Sequence, residues 1–476
     1  MAITTPKGYT LRYFALFIVT SLCCLETAAD WFEDFKRSSN DVELHQFLYE
    51  MPKGGDLHHH LTGSIFSEEW YELALASGKH GYHYYTKIRI NNCREHGEPG
   101  FDQYLIHYQN LAAINWQQLN DCEKSEYVPL AELDDQQRER WYNALRLDAP
   151  HEGRNEFFSK HWARLGALLS DPHIAKGILL KNFQHLADEG LIYAEPQVSV
   201  AGWMEPDGTP IPPLAAAQLV RQALEEPAFK KTGMTWRFQM SILRFLPSAE
   251  MDLKTAYEFV AANEPWAAVN MVGREDDDKG FPLRFLSSLR EMRQAHSGVR
   301  LSIHGGEVDE PNSHVRDTLL LGADRIGHGV NLITDPDTML LMRHGPYLVE
   351  INLISNLLLE YVSDFSQHPF PEYLRTGIPV ALSTDDRGMW DSTMTDEFFV
   401  AVKEFNLSWT EIKRLSENSL KYAFLDESSK AGLLDTYRTN IREFEQRMHL
   451  DQGRRVISRD APRRGFVCRQ YNICAR

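Results

Sequence analysis

The chain has 476 residues, 43% hydrophobic, 25% charged and 11% aromatic, with 29 Gly and 22 Pro. That is enough apolar matter for a packed core, and it excludes a disordered, collagenous or low-complexity protein. The 67 acidic against 50 basic residues leave a formal charge of -17, which argues against a nucleic-acid-binding face, because neutralising phosphates takes clustered Lys and Arg.

Residues 1–29 read as a secretory signal peptide. Lys7 and Arg12 precede an apolar run from Tyr13 to Leu25, and Ala28-Ala29 supply the small residues of a cleavage site. The run is too short to span a bilayer comfortably, so the expected product is exported, to a periplasm or outside the cell, with no membrane anchor. Cys93, Cys122, Cys468 and Cys474 remain after cleavage. In an exported chain an even number suggests disulfides with three connectivities, of which the local pairs Cys93–Cys122 and Cys468–Cys474 are expected.

Trp31–Tyr49 reads as one amphipathic helix in an N-terminal extension, residues 30–50. Met51–Leu61 reads as a first strand. Residues 64–190 are far longer than the roughly 30 residues of a βα unit; they contain Cys93, Cys122 and the helical run Phe157–Asn182, and are expected to form a mostly helical cap or a homodimerisation element near the mouth of the barrel. From there strands and helices alternate. Strand-like runs lie at Leu191–Val200, Thr235–Leu243, Trp266–Val272, Arg300–His304, Arg325–Val330, Tyr347–Leu353 and Ile378–Thr384. Helical stretches such as Leu214–Leu224, Leu283–Ala295, Val315–Leu321 and Thr395–Glu404 separate them. Eight strands with right-handed crossovers imply an α/β fold, a (β/α)8 TIM barrel spanning 51–448, with its site at the C-terminal strand ends. An open doubly wound sheet should carry a Gly-rich turn after its first strand, and none is present. Trp409–Tyr422 and Glu427–Met448 read as closing helices. The tail 449–476 is basic, with seven Arg and two Asp from Asp451 onward, and reads as a solvated extension.

Chemistry-bearing residues fall at four strand ends. In Asp56-Leu57-His58-His59-His60-Leu61-Thr62-Gly63, strand alternation puts His58 and His60 on one face and His59 on the other; two imidazoles so spaced suit a divalent metal, although H-x-H alone is more often a pair of ordinary surface or core histidines. Ser302-Ile303-His304-Gly305-Gly306-Glu307 ends the fifth strand, where His304 could be a third ligand or a cap. Arg325-Ile326-Gly327-His328-Gly329 ends the sixth, with a His left open by flanking Gly. Ser383-Thr384-Asp385-Asp386 ends the eighth, where successive carboxylates can divide metal and substrate between them.

Together these segments, with Pro52-Lys53 before the first, resemble the adenosine deaminase family of metal-dependent hydrolases, in order from about residue 50 to 425. The leader, the long insertion and Met51-Pro52-Lys53-Gly54-Gly55 resemble its secreted, growth-factor-related (ADGF-like) branch. The resemblance implies one zinc per subunit, held by His58, His60, His304 and Asp385, which lowers the pKa of a bound water. It implies that His328 and Asp385 orient and activate that water for attack on purine C6. Glu307 would protonate N1, and Asp386 would bond the N7 side, giving inosine and ammonia from adenosine or 2′-deoxyadenosine. The partner is then a small purine nucleoside. Adenine, a modified nucleoside or AMP is the alternative substrate, and a secreted binding protein with a vestigial barrel the alternative class. No lysine ends the fourth strand, Asn270-Met271-Val272-Gly273, which disfavours a carbamate-bridged two-metal site. Thr62 replaces the family's ribose-binding Asp, and Gly273-Arg274-Glu275 stands at its Gly-Asp-Glu turn. Gly306 is expected to bring backbone close to the ligand, and Trp390 or the insertion to supply an aromatic wall for the purine. Arg274 and Arg387 are the strand-end cations that could serve a phosphate.

Overall fold

The computed structural model describes residues 30–277, 279–308, 311–450 and 461–474; the leader read at 1–29 lies outside them. Eight parallel strands follow one another around a nearly closed barrel: β1 (Gly55–His60), β2 (Tyr193–Gln197), β3 (Phe238–Leu243), β4 (Trp266–Val272), β5 (Arg300–Gly305), β6 (Arg325–His328), β7 (Leu348–Ile351) and β8 (Val380–Leu382). Seven of the eight junctions are parallel pairings, with register shifts in β1–β2 and β3–β4 and a single registered pair, Gln197 with Gln239, between β2 and β3. The eighth is closed just past the end of β8. The Asp385 N–H donates to His58 O at 3.0 Å and the His60 N–H donates to Asp385 O at 3.2 Å. Barrel closure thus rests on the same residues that carry the chemistry.

Strands of a parallel barrel are covered on both faces and so read as continuous apolar runs. Leu57, Ala194, Phe238, Val269, Ile303, Ile326, Val349 and Val380 are all fully or almost fully buried. The interior also holds charge. The Arg325 guanidinium, 1% exposed, donates to Glu195 Oε2 and to Glu350 Oε1, each at 2.5 Å. This salt-bridged core ties β2, β6 and β7 together under the mouth.

Three sequence expectations are corrected. The N-terminal segment is two helices, Asp30–Ser38 and Asp41–Glu50, because Asn40 ends the first run and caps the second in a capping box with Glu43. The insertion is mostly helical, as expected, but its run Phe157–Asn182 is not continuous. It carries a three-stranded antiparallel sheet of Tyr84–Lys87, Asn110–Ala112 and Tyr127–Pro129, and its long helical run breaks at Gly166, φ +50°, before restarting at Pro172–Asp188 under an Asp171 cap. The tail 461–474 is packed rather than solvated. Phe466 and Val467 are buried in the helix Gly465–Tyr471, and Arg464 and the Gly465 N–H both bond Asp391. Among the described residues the disulfides are Cys93–Cys122 and Cys468–Cys474, as expected. Among the described residues no helix is long and apolar enough to cross a membrane.

Candidate metal and purine site

The four strand-end segments meet at the C-terminal mouth of the barrel. Ligand atoms of His58, His60, His304 and Asp385 lie within 4.8 Å of one another. Asp385 Oδ1 stands 3.3 Å from His60 Nε2 and 3.6 Å from His58 Nε2. Buried polar atoms are ordinarily hydrogen-bonded, yet His58 Nε2 and Asp385 Oδ1 have no hydrogen-bond partner. Three of the four ligands are fixed through their other polar atom. His58 Nδ1 bonds Glu350 Oε2 at 2.7 Å, His304 Nδ1 bonds Asn270 Oδ1 at 2.9 Å, and Asp385 Oδ2 accepts from Ser355 Oγ at 2.6 Å. Three imidazoles and a carboxylate, oriented by outer hydrogen bonds with one face bare, fit a divalent ion of the zinc type. His59 points away, toward Asp56 at 3.2 Å and Asn182 at 3.0 Å.

Asp385 and His328 have φ of +53° and +64°, a left-handed backbone that non-glycine residues enter at a cost of about 1–3 kcal/mol each and that clusters at functional sites. His328 Nε2 is buried without a partner and stands 3.8 Å from Glu307 Oε1. Burial first, then the Asp385 and Glu275 carboxylates, push Glu307 well above the usual carboxyl range, so its acid form is favoured. Burial and neighbouring Asp385 do the same to Asp386, whose Oδ1 is unpartnered and packs against Gly63. A Cβ on Gly63 would fall 1.7 Å from that oxygen; only glycine lets the β1 turn and the Asp386 carboxylate share the space.

Glu275 anchors the turn bearing Glu307. Its carboxylate accepts the Gly306 and Glu307 N–H groups at 3.1 and 3.2 Å and bonds His314 Nδ1 at 2.8 Å. Burial alone would raise this carboxyl, but Arg244 and His314 outweigh it and hold it low.

Among the remaining expected substrate contacts, Gly306 has φ +78° and faces the Asn331 side chain, and its N–H is directed to Glu275 instead of outward. Trp390 is wholly buried and packs on Phe157, 5.0 Å between rings; the ring beside the ligands is Trp162, 6.2 Å from His60, contributed by the insertion. Thr62 is half-buried in the turn after β1. Arg387 is interior and donates to Ser64 O and Asn182 Oδ1, while Arg274 is paired with Asp276 and Asn155, so both candidate phosphate cations are engaged elsewhere. The reading of the residues missed Glu350, Asn270, Ser355, Glu275 and Trp162. A signal existed for two of them: Glu350 and Asn270 are polar residues inside otherwise apolar strand runs.

Comparison with known proteins agrees with this architecture. The family described as Adenosine deaminase matches residues 128–440. An adenosine deaminase of Serratia proteamaculans is 30% identical over 276 residues, 57% of this chain and 80% of that protein. One of Klebsiella pneumoniae is 34% identical over 37% of this chain, so the chain spans about half of that relative's length, 51%. The crystal structure of an adenine deaminase from Arthrobacter aurescens superposes with a TM-score of 0.60 at 20% identity, covering 82% of this chain and 99% of that one. With two thirds of its length in the family match and its four strand-end motifs converging on one buried centre, the chain belongs to the adenosine deaminase family of aminohydrolases.

Proposed function

We propose that the protein catalyses zinc-dependent hydrolytic deamination of adenosine and 2′-deoxyadenosine to inosine and ammonia. The observation that carries the reading is the convergence of His58, His60, His304 and Asp385 with Glu307, His328 and Asp386 in one enclosed mouth. One zinc per subunit, held by the first four, would supply a water acidified toward neutral pH. His328 and Asp385 then orient that water over purine C6. Glu307, kept protonated by its enclosure, gives its proton to ring N1, which makes C6 electrophilic. Asp386, also kept protonated, donates to N7 on the other flank of C6 and fixes the ring plane. Trp162 walls the ring, as aromatic faces do for bases. An uncharged nucleoside is favoured over a nucleotide because Arg274 and Arg387 are already engaged by protein groups.

The same reading extends to context. The leader composition, two disulfides and the elaborated insertion support an exported enzyme of the growth-factor-related branch, homodimeric, with residues 51–448 as its barrel. Zinc-loaded protein should release ammonia from adenosine and lower its ultraviolet absorbance, and Glu307→Gln should remove nearly all of that turnover while zinc stays bound. Full turnover by Glu307→Gln, or stoichiometric zinc with no turnover of adenosine, 2′-deoxyadenosine, adenine, AMP or methylthioadenosine, would refute it.

A further inference from the structure

His328 is an imidazole with two different environments. Its Nε2 faces the site with no protein partner. Its Nδ1 is contacted by the side-chain amides of Asn356 at 3.0 Å and Asn352 at 3.3 Å. Amide orientation and histidine tautomer are settled by the surrounding hydrogen-bond network, and here that network has a fixed end. The backbone N–H of Phe370 points at His368 Nδ1, 3.1 Å away. A main-chain N–H can only donate, so His368 Nδ1 must present a lone pair. His368 is 2% exposed, and burial lowers it to about 3; neutral, it carries its hydrogen on Nε2. That hydrogen needs an acceptor, and the atom opposite, 3.0 Å away, belongs to Asn356. It must be the carbonyl oxygen. The amide NH2 of Asn356 is thereby turned toward His328 Nδ1, which must accept.

We propose that Phe370 N–H, His368 and Asn356 form a positioning relay that locks His328 as the neutral Nε2–H tautomer, so that His328 donates a hydrogen bond into the site and does not take a proton there. The imidazolium is excluded by the same geometry, because a protonated Nδ1 would face an amide donor. Reversing the lock would need Asn356 to flip, then His368 to exchange its proton, and finally a backbone N–H to be left against an N–H. His328 Nε2–H can hold the oxygen that attacks C6 and can stabilise charge as it develops there. Of the two groups assigned to the water, only the Asp385 carboxylate then has a lone pair free to accept its proton. The inference rests on the proposed deamination for its consequence, but not for its geometry.

Neutron diffraction from deuterium-exchanged crystals of the zinc-loaded full chain reads the relay directly. The expected result is a deuteron on Nε2 of both His328 and His368 and none on either Nδ1; a deuteron on His328 Nδ1 would overturn the proposal. Kinetics read its consequence. His368→Leu removes the donor to Asn356 and should lower kcat about tenfold or more, as loss of outer hydrogen bonds at metal sites does, with KM and bound zinc unchanged. His368→Gln restores an N–H donor at that reach and should stay within about threefold of the parent. His368→Leu with full zinc and undiminished kcat would overturn the relay. Should His368→Leu fail to fold, the deuteron positions and His368→Gln decide: a His368→Gln kcat as low as that of a His328→Ala variant would count against it. Absence of any turnover in the parent protein would refute the reaction, whereas deuterons on both Nε2 atoms would still uphold the relay.

Discussion

Replacing Glu350 by Gln tests the supporting shell of the metal site. Glu350 is fully buried in β7, with each carboxylate oxygen assigned. Oε1 accepts from Arg325 Nε at 2.5 Å and Ser302 Oγ at 2.9 Å; Oε2 bonds His58 Nδ1 at 2.7 Å and Ser302 Oγ at 3.0 Å. Burial would raise this carboxyl, but Arg325 and His58 outweigh burial and hold it low, so it is charged at neutral pH. A glutamine turns one oxygen into an NH2, and both positions face a donor. If the NH2 meets His58, the ligand loses its orienting acceptor, a change worth about 10–100-fold in metal affinity, or about 1.4–2.7 kcal/mol. If it meets Arg325, a buried guanidinium keeps Glu195 alone. Breaking a buried pair outright costs about 3–5 kcal/mol, and with one of two carboxylates left about 2 kcal/mol is expected. In either pose the negative charge behind His58 is gone. Glu350→Gln should therefore raise the zinc Kd at least about tenfold by chelator competition, and lower the Tm of the zinc-loaded protein by about 2 °C, at roughly 1 °C per kcal/mol for a chain of this length. A zinc Kd within about twofold of the parent together with an unchanged Tm would refute the assignment of Glu350 as the group that orients His58. The stability from this lowered carboxyl is present above the ordinary Glu value and is lost as pH falls through its depressed one.

Metal-free His58 is fully buried; burial alone would lower it, but the neighbouring Asp385 and Glu350 carboxylates outweigh burial and raise it to about 10. Its contribution to the metal-free fold is then complete below its ordinary value near 6.5 and lost as pH rises through about 10. Zinc must displace that proton, so titration calorimetry at neutral pH should show about one proton released per ion across buffers of different ionisation enthalpy, and buffer-independent heats would contradict it. Gly63→Ala puts a methyl 1.7 Å from Asp386 Oδ1 and should lower kcat/KM about tenfold or more with zinc content preserved; parental kinetics would show that Asp386 can move without consequence. Trp162→Ala should raise the KM for adenosine about tenfold with little change in kcat, the signature of lost uniform binding, and a selective fall in kcat would place Trp162 elsewhere in the cycle.

The parts of the site legible in the sequence were those whose spacing carries geometry. H-x-H in a strand puts two imidazoles on one face whatever the fold around it, and glycines beside His304 and His328 mark places where backbone must turn sharply. The positive φ of Asp385 has no such mark, because no glycine stands beside it. The partners of Glu350, Asn270 and Ser355 were hidden for a different reason. Each acts on a residue 30 or more positions away, at separations of 292, 34 and 30, and only barrel closure makes them neighbours.

Fold-level errors have the same origin. Strand periodicity locates eight strands because every strand is buried on both faces, whereas the N-terminal segment breaks at a cap, Asn40, whose signal is one residue long amid continuous amphipathic pattern. Composition misjudged the tail because Arg464 reads as solvated charge until Asp391, 73 residues earlier, is seen to meet it at 2.7 Å. Gly306 and Trp390 show the limit of reading a residue by type. A glycine permits close approach without saying to what, and its N–H goes to Glu275; a tryptophan supplies a wall without saying for which space, and Trp390 faces Phe157. What converts such permissive residues into a site is the second set of partners, and for His328 that set runs through Asn356 and His368 to a main-chain N–H, the one donor in the relay whose direction no side chain can reverse.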